Sequence, residues 1–340
     1  QRLGHPEGLN YTNSLIGSPR LLLWTPFFDK WYFGLDKSRE RDVLLRNCSR
    51  KCYVTNDRSL LNYSDAVVFH VLDWNVKDVP LLRSPAQRWV WWIMESPHNT
   101  WFGDYHTMKS TFNWTMSYRR DSDVLVPYGR FVERNDSTAK GHNVTYWKSK
   151  NTTAMWLVSN CVTRGGREAY IEELRKHIQV DIYGYCGDYK CPVEQSTSCY
   201  EAFEKQYFFI LAFENSICRD YVTEKFFRAL GYDLIPVVFG GANYSQLAPS
   251  GSYIDALSFG TPRDLAGYLR IVENNATLYA GFFEWKRRFR AESFQPPDIC
   301  PLCIKLHGDD LGRTSTYDMW SWWQSESRCW GWMPQSDLNK

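Results

Sequence analysis

The sequence predicts an α/β protein made of two successive units, each a mainly parallel sheet covered by helices on both faces, with the two units facing a cleft. Three observations carry this. Short apolar runs rich in β-branched and aromatic residues recur along the chain, too short for core helices and too continuous for half-exposed strands. Polar or amphipathic stretches of helix length alternate with them. A polar segment, DSTAKGHNVTYWKSKNTT (136–153), interrupts the alternation near mid-chain and reads as a linker.

In order, the first unit contains RLLLWTPFF from Arg20, AVVFHVLDW from Ala66, RWVWWIME ending on Glu95, and VLVPYG from Val124. After the linker come TAMWLVSN as a strand, an amphipathic helix over about 167–177, VDIYGY and QYFFILAFEN as strands, YVTEKFFRAL as a helix, LIPVVFG as a strand, and a helix over about 263–272. This gives residues 1–19 as a remnant stem, 20–150 as an N-terminal Rossmann-like domain, 151–299 as a second, and 300–340 as a tail packing back on the first. At 340 residues the chain is long enough for two cores.

Composition excludes several functions. A net charge of +2 is too near neutral for a phosphate-backbone binder, so nucleic acid is not an expected partner. There is no GxGxxG, no GxxxxGK[ST], no HExxH and no Gly-X-Ser-X-Gly, which removes the motif support for dinucleotide cofactors, nucleoside triphosphates and common hydrolase chemistry. No apolar run approaches the roughly 20 residues of a membrane span.

Sequons at Asn10, Asn47, Asn62, Asn113, Asn135, Asn143, Asn151, Asn243 and Asn275 point to the secretory pathway, with a targeting segment expected upstream. In that compartment the ten cysteines are read as disulfides, whose pairing spacing alone leaves open. Cys300-Pro-Leu-Cys303 lacks the second CxxC or HxxxH of a zinc site.

In open parallel sheets, ligands sit beyond the carboxyl ends of the strands. Three polar junctions fall there: Val158-Ser159-Asn160 followed by Arg164 and Arg167, Glu214-Asn215-Ser216, and Tyr221 through Lys225. Arg167 and Lys225, beside helix N-termini, form a candidate diphosphate pocket; each alone would read as an ordinary surface charge. Glu95 ends a very apolar strand beside Trp91, Trp92 and Trp101, where partial desolvation would raise its pKa and suit it to general-base work. The tryptophans suit a sugar face, or simply a core. Asp121-Ser122-Asp123 has the spacing of a metal-chelating DxD, but Arg119 and Arg120 compete for these carboxylates and favour a structural ion pair.

With these pieces placed, the chain resembles the eukaryotic α1,3-fucosyltransferase family (glycosyltransferase family 10). FENSICRDYVTEKFF, FNWTMSYRRDSDVLVPYG, WIMESP, LVSNCVTRGGREAY and the terminal CPLC are similar to its motifs, in order, over roughly 20–332. The resemblance implies a GT-B fold and inverting transfer of L-fucose from GDP-β-L-fucose to O3 of N-acetylglucosamine on the N-glycans of glycoproteins, with no metal or other cofactor. It implies Glu95 as base, Arg167 and Lys225 on the diphosphate, Asn215, Tyr221 and Glu224 as donor contacts, and Tyr128 near the reacting sugars. It also implies a type II Golgi membrane protein whose luminal part is this chain, and bridges from Cys300 and Cys303 to Cys48 and Cys52. Cys161 and Cys218, each following a donor-site strand, are expected to pair, leaving Cys186, Cys191, Cys199 and Cys329 unassigned. The cysteine pattern looks closer to invertebrate and plant enzymes acting on the innermost GlcNAc, while MESPHNT is nearer the Lewis type acting on outer arms. A catalytically dead glycan-binding homologue is the alternative class; the complete set of candidate residues argues against it.

Overall fold

A computed structural model describes residues 17–31, 35, 42–100, 105–108, 110–135, 147–192, 195–294, 297–308 and 318–334. Trp101, the sequons Asn10 and Asn143, most of the stem and much of the linker lie outside the described residues. The chain forms two compact units that interleave along the sequence. The first holds residues 1–93, 110–116 and 299–316, and the second 94–109, 117–298 and 317–340. The single boundary expected at 150 is thus crossed by the short returns 94–109 and 117–150, and the 300–340 tail is shared between the units.

The first unit is built on strands β1 (Arg20–Leu23), β2 (Asp42–Leu44), β3 (Tyr53–Thr55), β4 (Ala66–His70), β5 (Arg88–Trp92) and β6 (Trp114–Ser117), in the order β2-β3-β1-β4-β5-β6. All neighbours are parallel except β2 against β3. All five residues of β4 and four of the five in β5 are buried, as expected of central strands covered on both faces. Trp91 and Trp92 are 0% and 2% exposed, so they are core residues and offer no sugar platform. The helix Cys300–Leu306 is tied to the loop before β3 by Cys48–Cys300 and Cys52–Cys303.

The second unit carries β7 (Val124–Leu125), an antiparallel pair of β8 (Gly129–Glu133) with β14 (Phe289–Ser293), and a five-stranded parallel sheet. The sheet contains β9 (Thr152–Leu157), β10 (Val180–Tyr183), β11 (Tyr207–Phe213), β12 (Ile235–Phe239) and β13 (Ile254–Asp255), in the order β10-β9-β11-β12-β13. Its helices include α1 (Arg167–Arg175), α2 (Ser196–Gln206), α3 (Glu224–Ala229), α4 (Tyr244–Leu247), α5 (Pro262–Glu273) and α6 (Ala276–Gly281). Every residue of β11 is buried. Phe209, Leu211 and Phe213 pack with Tyr170 and Leu174 of α1 and Leu265 and Leu269 of α5; Ile210 packs with Tyr200 and Phe203 of α2. Thr261 caps α5 by accepting from the Asp264 amide, and Pro262 starts it, a position where its missing N–H costs nothing.

Three more bridges lie in this unit: Cys161–Cys186, Cys191–Cys199 and Cys218–Cys329. They overturn the expected Cys161–Cys218 pair. Both cysteines do follow central strands, but Cys161 turns toward the loop after β10, and Cys218 toward the C-terminal segment, whose Trp330 bridges to Ile217. With Cys300 and Cys303 in disulfides, neither sulfur is available as a zinc thiolate.

Among the sequons, Asn47, Asn62, Asn135, Asn151, Asn243 and Asn275 are exposed. Asn113 is not. It is 8% exposed, and its Oδ1 accepts from the Trp89 amide at 2.8 Å and from Arg83, so this side chain is part of the sheet edge and not a glycan acceptor in the folded unit.

Candidate functional site

The polar residues singled out in the sequence converge in the second unit, at the carboxyl end of β11. The strand ends in Phe213, and the loop 214–223 returns to start α3. Glu214, fully buried, closes that loop: its Oε1 accepts from the Thr223 amide at 2.8 Å, its Oε2 from the Thr223 hydroxyl at 2.9 Å, and Oε2 also lies 3.4 Å from Lys225 Nζ. Burial pushes the Glu214 carboxyl up from its ordinary pKa, against the pull of Lys225. Burial alone would lower the Lys225 ammonium, but Glu214 and Glu224 outweigh it and hold it at about 12. Lys225 is therefore a permanent cation, 28% exposed, with Glu224 3.3 Å away.

Glu95 sits in the turn that follows β5. Its Oε2 lies 3.4 Å from the Tyr221 hydroxyl and 3.4 Å from Asn99 Nδ2, both long contacts that leave the carboxylate lightly held. Ser96 and Ser216 share a buried hydroxyl–hydroxyl bond of 2.7 Å, which joins the Glu95 turn to the 214–223 loop. Tyr128 donates to the Met94 carbonyl at 2.5 Å and so holds the other side of the same turn. Burial, reinforced by Glu95, lifts the Tyr128 and Tyr221 phenols well above their ordinary range. They are neutral hydrogen-bond donors beside the carboxylate.

Arg167 opens α1 behind two glycines. Gly166 has φ +73°, a left-handed backbone, and a Cβ there would stand 2.0 Å from the Trp332 carbonyl oxygen; one on Gly165 would meet the Asn215 carbonyl oxygen at 2.9 Å. The pair lets the chain pass between two backbones and deliver Arg167 to the end of β11. There its guanidinium, in a residue 2% exposed, donates to the carbonyls of Phe213 at 2.9 Å and Asn160 at 2.8 Å and pairs with Glu168 at 3.1 Å. Much of its donor capacity is spent on the protein, which places Arg167 deeper than a surface phosphate clamp.

Asp121 is an ion-pair residue. It binds Arg119, which is fully buried and also donates to the Trp322 carbonyl and Ser327, and it lies 3.3 Å from Arg219. Burial would raise its carboxyl, but the hydrogen bond and charge of Arg119, with Arg219, pull it below the usual aspartate value.

Several functional positions carried no strong signal in the sequence. Ser96 read only as the residue at which the chain leaves the β5 strand. Tyr118 is 4% exposed, its ring centroid lies 5.0 Å from that of Tyr221, and its hydroxyl has no partner among the described residues. Of the residues expected as donor contacts, Asn215 has an Oδ1 that is buried and without a partner among the described residues. Buried polar atoms are satisfied in most proteins, so these two are available to a polar ligand.

Family models match both parts of the chain. "Fucosyltransferase, N-terminal" covers residues 17–129, and "Glycosyltransferase family 10 (fucosyltransferase) C-term" covers 147–323. The chain belongs to glycosyltransferase family 10, the fucosyltransferases. It is 36% identical over 341 aligned residues to alpha-(1,3)-fucosyltransferase C of Drosophila melanogaster, covering 91% of this chain and 78% of that protein. It is 34% identical to a 4-galactosyl-N-acetylglucosaminide 3-alpha-L-fucosyltransferase of Homo sapiens, over 93% and 88%. A crystal structure of an alpha1,3-fucosyltransferase superimposes with a TM-score of 0.55 at 16% identity, covering 89% of this chain and 94% of that one, which bears out the α/β GT-B fold class. This fucosyltransferase family member is thus a glycosyltransferase whose candidate chemistry, Glu95 with Tyr221, Lys225 and Asn215, lies within one compact unit. No helix among the described residues is long and apolar enough to cross a membrane.

Proposed function

We propose that the protein transfers L-fucose from GDP-β-L-fucose to O3 of an N-acetylglucosamine on N-glycans, with inversion. The observation that carries this reading is the lightly held Glu95 carboxylate beside the neutral Tyr221 phenol, in the same unit as a cation, Lys225, that never loses its charge near neutral pH. Glu95 takes the proton of the acceptor hydroxyl while its oxygen forms the new bond to the fucose anomeric carbon. The bond from that carbon to the diphosphate breaks, and its electron pair leaves with GDP. Lys225 stabilises the charge growing on the leaving diphosphate, and the N–H groups that Arg167 has left add to it. Asn215 Oδ1, Tyr221 and Glu224 bind donor hydroxyls or base edges; Tyr128 holds the Glu95 turn.

Donor binding in this reading needs no divalent metal. Its support is that Asp121 is already paired with Arg119 and Arg219, so the DxD spacing does not present a free pair of carboxylates. Retained turnover in a chelator is the expected result. The five disulfides and the exposed sequons support a luminal enzyme of the secretory pathway, and the family resemblance is the support for a type II Golgi anchor.

The acceptor favoured is the innermost GlcNAc, on the cysteine pattern of the Cys161–Cys186 and Cys191–Cys199 loops. The outer-arm reading has its own support in the likeness to the human 4-galactosyl-N-acetylglucosaminide enzyme. Mass spectrometry of products from a chitobiose-core glycan and from N-acetyllactosamine separates them. The mechanism is tested with Glu95→Gln: turnover is expected to fall by about 10²–10⁴-fold with GDP binding retained. Equal turnover in both proteins puts the base elsewhere, and GDP binding with no turnover in either restores the reading of a dead homologue.

A further inference from the structure

A second pocket of about 630 Å³ lies in the same unit, lined by none of the residues assigned above to the donor or to base catalysis. Its floor is Ile217 and Gly241, and its walls are Arg219, Glu326, Arg328 and Trp330. The pocket is rigidly framed. Trp330 donates its amide to the Ile217 carbonyl at 3.0 Å, Arg219 donates to that of Ser327 at 2.8 Å, and the Cys218–Cys329 disulfide locks the two segments together. Gly241 allows close approach to Cys218, whose carbonyl oxygen a Cβ would meet at 2.6 Å.

The lining has a specific chemistry. Trp330 is 48% exposed, an aromatic face of the kind that stacks on the C–H face of a sugar ring. Arg328 is exposed, holds φ +46°, and its guanidinium has no hydrogen bond or ion pair among the described residues. A non-glycine residue kept in the left-handed region is uncommon and clusters at functional positions. Arg219, 42% exposed, pairs with Asp121 at 3.3 Å and Asp220 at 3.7 Å. Both arginines line the pocket, and a guanidinium fork pairs well with a carboxylate or sulfate. Glu326, 3.6 Å from Arg119, adds an acceptor for neutral hydroxyls and repels a polyanion such as a diphosphate.

We infer that this pocket binds an acidic sugar residue, one that carries a single carboxylate or sulfate on a hydroxyl-rich ring. The inference concerns binding and does not rest on the transfer reaction, so the two fail separately. The probes are methyl glucuronide, methyl glucoside, inorganic phosphate and GDP, followed by saturation-transfer NMR on the intact chain. The variants are Arg328→Asn, which removes the charge but keeps a side chain suited to the left-handed backbone, and Trp330→Ala.

Methyl glucuronide is expected to bind at roughly 10 mM or tighter, with methyl glucoside about tenfold weaker. Each variant is expected to weaken the glucuronide about tenfold while GDP binding stays unchanged, which also shows that the variants fold. Higher salt weakens the charged probe and not the neutral one. Equal binding of glucuronide and glucoside, no effect of Arg328→Asn, no glucuronide binding at that concentration, or displacement of glucuronide by GDP or phosphate each overturns the assignment.

Discussion

Single residues in this protein do work that their neighbours in sequence do not announce. Lys150, only 6% exposed, donates its ammonium to the carbonyls of Tyr207 and Asp233, both at 2.8 Å, and of Glu204. Burial depresses its pKa from 10.5 to about 8, against the opposing pull of Asp233 and Glu204, with Lys286 adding to the fall. A lysine depressed on folding binds fewer protons in the native state than in the unfolded one between those two values. The Lys150 contribution to stability therefore rises as pH goes from about 8 toward 10.5. In urea titrations across that window, Lys150→Met is expected to lose this rise; parallel curves for the two proteins would remove Lys150 as its source. At the same scale, Glu95 was legible because a carboxylate ending an apolar strand is a local anomaly. Tyr118 and Ser96 were not, because nothing near them in sequence says what they will face.

Elements show the same division. The continuous apolar runs of β5, β9, β11 and β12 and the amphipathic α1 and α5 were readable because their periodicity is local and strong. The short strands β2, β3, β6 and β13 went unread, since a few residues carry too little pattern to outweigh their context; α2 went unread because only Tyr200 and Phe203 of its eleven residues are buried. The glycine pair before α1 is where an element depends on another segment's backbone. Gly166→Ala forces a side chain onto φ +73° and into the Trp332 carbonyl, and Gly165 has the Asn215 carbonyl on its other side. A loss of roughly 1–3 kcal/mol is expected in denaturant unfolding, with a rise in the KM for GDP-fucose as Arg167 shifts. An unchanged midpoint would mean the C-terminal segment yields without cost.

For the whole molecule, the paired bridges of the first unit set how cooperative it is. Cys48–Cys300 and Cys52–Cys303 span 252 and 251 residues. Once either is closed, the other closes only a short loop, so the two are not additive. By chain entropy, removing one pair as alanines is expected to cost about 2–3 kcal/mol, whereas removing both costs about 8, clearly more than the two single losses together. Thermal melts of the two double variants and the quadruple variant test this; strictly additive losses would show that the entropic account is wrong here.

By itself, the sequence determined the α/β class, the two successive sheets, the disulfide-permissive compartment and the family, because each is written in local composition, periodicity or contiguous motifs. Tertiary structure alone decided that Cys161 meets Cys186 and Cys218 meets Cys329, that Asn113 is buried in place of being an open sequon, and that Glu95 stands by Tyr221. The physical reason is that these depend on which loops meet. The partners lie 24 or 25 residues apart at Asn113 and Cys161, and more than a hundred apart at Cys218 and Glu95, distances over which residue type no longer specifies a partner.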